Sequence, residues 1–224
     1  MSDFAERLDA VRSRIADAGG DLDAVTICAV TKGFGPEAVR LALDHGIGDI
    51  GENYAQEMLG KVAALAADEG RDVWPRWHAI GRLQRNKVSR LAPHVHLWQS
   101  VDRSELGATI ARHAPGASVL VQVATTGEEG KGGCPPDHVE RLVDELRSDG
   151  LSVEGLMTVG PTDAATDPRP GFELVAELRR RLELRELSMG MSGDLEAAVV
   201  CGSTMVRVGT ALFGPRRVSV VPGN

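Results

Sequence analysis

Residues 24–50 read AVTICAVTKGFGPEAVRLALDHGIGDI. An apolar run from Ala24 to Val30 stops at Thr31-Lys32-Gly33. Pro36 then opens a helical stretch, PEAVRLALDHG, and a second apolar run begins at Ile47. Proline costs little in the first turn of a helix, where the backbone N–H has no partner to lose. A strand, a helix and a following strand in so short a span form the unit from which parallel sheets are built.

The same unit recurs outward from this stretch. Upstream, Asp3 to Ala18 places Phe4, Leu8, Val11 and Ile15 at helical spacing, and Gly19-Gly20 ends it. Downstream, short apolar runs fall at Trp77–Ile80, His96–Ser100, Ser118–Val123, Val153–Val159, Glu186–Met189 and Met205–Val208. Helical stretches lie between them at Tyr54–Ala67, Gln84–Leu91, Arg103–His113, Pro136–Ser148, Gly171–Leu182 and Asp194–Cys201. With Ile47–Ile50 there are eight strand candidates. The expected fold is α/β, a single (β/α)8 TIM-type barrel with an extra N-terminal helix, slightly smaller than the ~250 residues usual for such barrels. An open doubly wound sheet is the alternative, but no Gly-rich dinucleotide fingerprint follows the first strand. The Pro/Asp/Thr-rich stretch from Gly160 to Pro170 reads as the loop after strand six, so residues 1–224 are expected to form one domain.

Composition narrows the function classes. The chain has 224 residues, 42% of them hydrophobic, and a formal net charge of −7. That is enough apolar material for a folded core, and the acidity disfavours nucleic acid or an anionic membrane as the main partner. Cys28, Cys134 and Cys201 are scattered without a C-x-x-C pair, which fits a reducing compartment and argues against a disulfide scaffold or zinc site. The first twenty residues lack an apolar leader core, so a cytoplasmic location is expected. Of the 25 basic residues only Lys32, Lys61, Lys87 and Lys131 are lysine. Arginine cannot form a Schiff base, so each lysine carries more weight.

Barrel chemistry sits where the strands end. Lys32 follows strand one, a position where desolvation and nearby positive charge would make it an amine nucleophile toward aldehydes; a solvated lysine is the plainer reading. Ser192 stands before the helix begun by Asp194, either as its cap or as one wall of an anion site. Gly209-Thr210 after strand eight offers further donors. Arg207 lies inside the alternating strand MVRVG, where a charge needs a partner. An amine, an anion site and an arginine on one face suit a phosphorylated aldehyde, whether pyridoxal 5′-phosphate or a sugar phosphate. His94-x-His96 lacks a third metal ligand. Arg179-Arg180-Arg181 reads as a solvated face. Lys131, in a glycine-rich loop, is a possible second reactive amine, and Arg82, Arg85, Lys87 and Arg90 form a small basic cluster.

The blocks AVTKG, DIGENYAQE, WHAIGRLQRNK, QVATTGEEGKGG, GLMTVGP and LSMGMSGDLEAAVVCGSTMVRVGTALFG, spread over nearly the whole chain, resemble the pyridoxal-phosphate homeostasis protein family, also called the YggS or PROSC type. The resemblance implies a monomeric barrel like the N-terminal domain of alanine racemase, binding pyridoxal phosphate to buffer or deliver it rather than to turn over a substrate. It implies that Lys32 forms the Schiff base, that Arg207 faces the pyridine nitrogen, and that Ser192, Gly209 and Thr210 hold the phosphate. Asn53 and His78 are then expected to border the cofactor, and Met189 to pack near its ring or phosphate. Apo-enzymes that need the cofactor are the implied acceptors. Thr31, Gly33-Phe34 and Ala79 depart from the family's usual residues without removing a group the binding chemistry needs. A weak racemase or lyase and a Schiff-base aldolase remain as alternatives.

Overall fold

Alternating strands and helices follow one another along the computed structural model of the chain, which describes residues 2–68, 72–128 and 130–215. The order is α1 (Ser2–Asp17), β1 (Thr26–Val30), α2 (Pro36–Asp44), β2 (Asp49–Glu52), α3 (Ala55–Ala66), β3 (Arg76–Ala79), α4 (Arg85–Leu91), β4 (Val95–Val101), α5 (Ser104–His113), β5 (Ser118–Gln122), α6 (Val139–Ser148), β6 (Ser152–Met157), α7 (Arg169–Arg181), β7 (Glu186–Ser188), α8 (Leu195–Val200), β8 (Met205–Val208) and α9 (Thr210–Phe213). All neighbours pair in parallel, and β8 closes on β1 with Cys28 opposite Arg207. The closed eight-stranded barrel with its additional N-terminal helix is the fold that the alternation in the sequence predicts.

Two layers of side chains follow from strand alternation. Outward residues such as Ala29, Ile50, Trp98, Val121 and Val206 pack beneath the helices, which bring Val39, Met58, Ile110, Val143 and Phe172 to one continuous core. Inward residues Cys28, Leu97, Leu120, Met157 and Met205 form a smaller cluster within the barrel. Each large apolar side chain buried in this way contributes roughly 1.5–3 kcal/mol. The N-terminal helix sits beside α8 and α9: Phe4 stacks at 5.4 Å on Phe213 and edge-on at 4.9 Å against His45.

Differences from the sequence reading lie at element ends. Ile47 belongs to the end of α2, not to β2. Its N–H bonds to Ala42 O (2.9 Å) and that of Gly46 to Leu43 O (3.0 Å), with Gly46 at φ +78°. This is a Schellman closure, and it delays the strand to Asp49–Glu52. The stretch from Pro136 opens with a 3-10 turn, Pro136–His138, before α6. The single turn α9 was not anticipated, being too short for a periodic signal.

Candidate functional site

At the C-terminal ends of the strands the first-ranked sequence candidates come together across the β8–β1–β2 seam. Lys32 lies two residues past the end of β1 and is half-buried. Val30 pairs with Gly51, so Lys32 and Asn53 each lie two residues beyond that pair, at the same rim. On the other side, β8 carries Arg207 opposite Cys28. Asn53 Oδ1 is buried without a hydrogen-bond partner among the described residues. Behind it, Gly81 approaches so closely that a Cβ there would stand 2.3 Å from Asn53 O, which explains the glycine of the IG dipeptide.

Arg207 is 4% exposed, and its guanidinium is held from two sides. Nη1 donates to Ser188 Oγ (2.7 Å) and Nη2 to Thr158 O (2.7 Å). Burial pushes its pKa down to about 10, which still leaves it charged at neutral pH. Gly190 secures the backbone beside it: its carbonyl accepts the Arg207 N–H (2.9 Å), its φ is +92°, and a Cβ would meet Ala198 Cβ at 2.6 Å. Only glycine fits there.

The loops after β7 and β8 are pinched together. Ser192 Oγ accepts from Ala211 N–H (3.3 Å) and lies 3.3 Å from Thr210 Oγ1. Ser192 therefore does not cap α8. That helix starts only at Leu195, and Asp194 instead accepts the N–H of Met191 (2.6 Å). Gly209 precedes α9 and packs on Val30, whose carbonyl would be 3.2 Å from a Cβ. An unforeseen residue, Arg14 of α1, secures the pinch by donating to Ser192 O (3.0 Å) and pairing with Glu196 (2.7 Å). Two hydroxyls and the start of α9 thus meet where an anion could be held.

Two expected neighbours stand further back. Met189 is wholly buried in the outer core with Leu187 and Leu195, because alternation turns Ser188, not Met189, inward. His78 is 1% exposed inside the barrel, and both ring nitrogens are engaged: Nε2 with Asp49 Oδ1 (3.0 Å) and Nδ1 with Gln99 Nε2 (2.6 Å).

Sequence reasoning missed a second buried polar group, on the outer side of β2. Lys61 of α3 is 4% exposed, donates to Thr31 O (2.6 Å) and pairs with Glu52, which also accepts from Thr31 Oγ1 (2.5 Å). It thereby fixes the residue before Lys32. Burial pushes the Glu52 carboxyl up, against the pull of Lys61 and Thr31. The signal was Lys61's place on the buried stripe Met58-Lys61-Leu65. Of the other lysines, Lys131 pairs with Glu128 (2.8 Å) and donates to Gly160 O (2.5 Å). Lys87 lines an open cleft of about 620 Å³ with Asn53, Tyr54, Arg82 and Arg103. Among the described residues no group of three or more His, Cys, Asp or Glu could hold a metal ion, and no helix is long and apolar enough to cross a membrane.

Known proteins are similar to this chain over nearly its whole length. Residues 7–217 match the family described as alanine racemase, N-terminal domain. A Pseudomonas aeruginosa pyridoxal phosphate homeostasis protein is 40% identical, covering 96% of this chain and 97% of its own. A Mycobacterium tuberculosis protein of the same name is 37% identical, covering 97% and 94%. Among solved structures, PipY of Synechococcus elongatus with pyridoxal phosphate (PLP) bound superposes with a TM-score of 0.80 at 32% identity, over 94% of this chain and 100% of that one. A Clostridium difficile alanine racemase (TM-score 0.74, 13% identity, 96% of this chain and 57% of that one) shares the fold. The chain belongs to the pyridoxal phosphate homeostasis protein family, whose barrel is that of the alanine racemase N-terminal domain.

Proposed function

We propose that the protein binds pyridoxal 5′-phosphate as a carrier that buffers and delivers the cofactor, with Lys32 as the anchoring amine and no substantial turnover of a substrate. The observation that carries this reading is the buried guanidinium of Arg207, held by Ser188 and Thr158, on β8 beside β1, the strand that leads to Lys32. The residues suit the group. Lys32 supplies an amine for the aldehyde, the Ser192–Thr210 pinch supplies donors for the phosphate, and Asn53 brings a polar group with spare hydrogen-bonding capacity to the same rim. PLP binding by the similar PipY and the names of the curated relatives support the assignment.

Bound to an enzyme, pyridoxal phosphate withdraws electrons from a substrate carbon, most strongly when its ring nitrogen is protonated. Arg207 can only donate a hydrogen bond, so a ring nitrogen facing it stays unprotonated and the withdrawal stays weak. Tyr54, the chain's only tyrosine, is 60% exposed, so it is not packed as a second base in a dry site. Both features favour holding and release over turnover. Apo-enzymes that need the cofactor are the proposed acceptors, and a cytoplasmic monomer is the proposed working form.

Titrating the purified protein with pyridoxal phosphate tests the reading. A visible band that saturates at one equivalent, is lost in Lys32→Ala and transfers to an added apo-enzyme supports the carrier. Steady product formation from a single amino-acid enantiomer would replace it with the racemase or lyase reading, and no band at all would refute it.

A further inference from the structure

A line of buried side chains crosses the barrel interior from Arg207 to the opposite end. Ser188 Oγ, which accepts from Arg207, donates to Gln99 Oε1 (2.7 Å). Gln99 Nε2 meets His78 Nδ1 (2.6 Å) and Met205 Sδ (3.1 Å). His78 Nε2 meets Asp49 Oδ1 (3.0 Å), and Asp49 is paired to Arg76. Asp49 and Arg76 are the first residues of β2 and β3, whereas Ser188 ends β7 and Thr158 follows β6. In a parallel barrel these are opposite faces.

With His78 as a neutral ring, the two ends of this line allow only one direction. A guanidinium has donors and no acceptor, and an ionised carboxylate has acceptors and no donor. Asp49 is ionised at neutral pH: burial pushes its carboxyl up, but His78 and Arg76 together hold it well below the usual range. It therefore requires a proton on His78 Nε2. In the neutral ring Nδ1 is then a lone pair, which requires the Gln99 N–H. That turns the Gln99 carbonyl toward Ser188, whose hydroxyl donates to it and accepts from Arg207. Every donor points away from Arg207, so the bonds polarise one another in the same sense.

We infer that Ser188, Gln99, His78 and Asp49 are positioning residues for the cofactor site: one directional hydrogen-bonded chain holds Arg207 in place and couples the far face of the barrel to whatever Arg207 faces. His78 acts through this chain as a neutral Nε2–H imidazole, not by touching the ligand. The coupling to the cofactor rests on the proposed function; the direction of the chain does not.

The test has two arms. In the protein without cofactor, nitrogen NMR of the His78 ring at neutral pH reports a single neutral ring protonated at Nε2, and Gln99→Glu converts it to the doubly protonated form. A doubly protonated ring in the unaltered protein overturns the assigned direction. In the second arm, pyridoxal phosphate is titrated into each variant. Ser188→Ala weakens binding about tenfold, the worth of one charge-assisted hydrogen bond, and shifts the visible band, and Ser188→Thr restores both. Asp49→Asn gives a smaller change of the same sign. Val153→Ala, in the outer core, lowers the melting temperature but moves neither affinity nor band. Affinity and band unchanged in both Ser188→Ala and Asp49→Asn would overturn the coupling. Absence of a band in the unaltered protein would refute the proposed function and the coupling with it, while the NMR arm would still decide the chain's direction.

Discussion

The barrel wall separates two buried polar groups that are built on different principles. Inside, the line from Arg207 to Asp49 threads neutral groups between a cation and an anion, and each member finds a partner. Outside, beneath α3, Lys61 and Glu52 meet directly, and Glu52 Oε2 is left without a hydrogen bond among the described residues. A dispersed chain spreads desolvation over several satisfied groups, whereas a compact ion pair concentrates it on two charges that attraction only partly compensates. The inner group accommodates the buried charge of Arg207 within the barrel. The outer group fixes the backbone of Thr31, one residue before Lys32, and its stability depends wholly on keeping both partners.

The largest expected effect breaks the outer pair. Lys61→Met strands the Glu52 carboxylate and should cost about 3–5 kcal/mol at pH 7, read from urea unfolding, with most of the loss recovered when Glu52→Leu is added. A harmless Lys61→Met would erase the contrast between the two groups. Gln99→Leu cuts the inner line in the middle, leaving Ser188 and His78 each short of a partner. It should cost roughly 1–3 kcal/mol, and the companion change His78→Phe should not add a second loss of that size.

Acid sharpens the comparison, because the two carboxyls shift in opposite directions. The Asp49 carboxyl is held below its ordinary value, so its contribution is complete above the unfolded pKa of about 3.9 and is lost as the pH falls below that. The Glu52 carboxyl is raised by burial, so its protonation favours the folded state: that contribution is present below an unfolded pKa of about 4.3 and is lost as pH rises through the higher folded value. In urea unfolding from pH 7 to pH 3, the deficit of Asp49→Asn should shrink below about pH 4. Any advantage of Glu52→Gln should shrink on the way down from neutrality. Parallel curves for both variants would contradict the opposite shifts. The smallest effect belongs to Arg14→Ala, which removes a partly exposed pair with Glu196 and should cost under about 1 kcal/mol in thermal unfolding.

Much of this was legible because it is periodic or local. The eight strand–helix units follow from apolar runs and helical spacing, and Lys32, Asn53, Ser192, Arg207, Gly209 and Thr210 stand at strand ends or the turns after them, where barrel chemistry gathers. What stayed hidden depends on which side of a strand a residue faces. Arg207 stands out as a charge in an alternating strand and His78 only through the family resemblance, whereas Asp49, Gln99 and Ser188 join them only once the barrel closes. The resemblance implies Met189 near the cofactor, whereas alternation from an inward Ser188 turns it into the outer core. Lys61 sits in an otherwise ordinary amphipathic helix, and only its position on the buried stripe set it apart.

One lysine among four is proposed as the cofactor's anchor, and borohydride reduction of the pyridoxal-phosphate-loaded protein followed by peptide mass mapping identifies it. The four lysines occupy distinct places: Lys32 beyond the end of β1, Lys61 in its buried pair, Lys131 against Glu128 and Gly160, and Lys87 in the cleft beside Tyr54. The expected result is the phosphopyridoxyl mass on Lys32 alone, at one label per chain. A label on Lys61, Lys87 or Lys131 with Lys32 unmodified would contradict it.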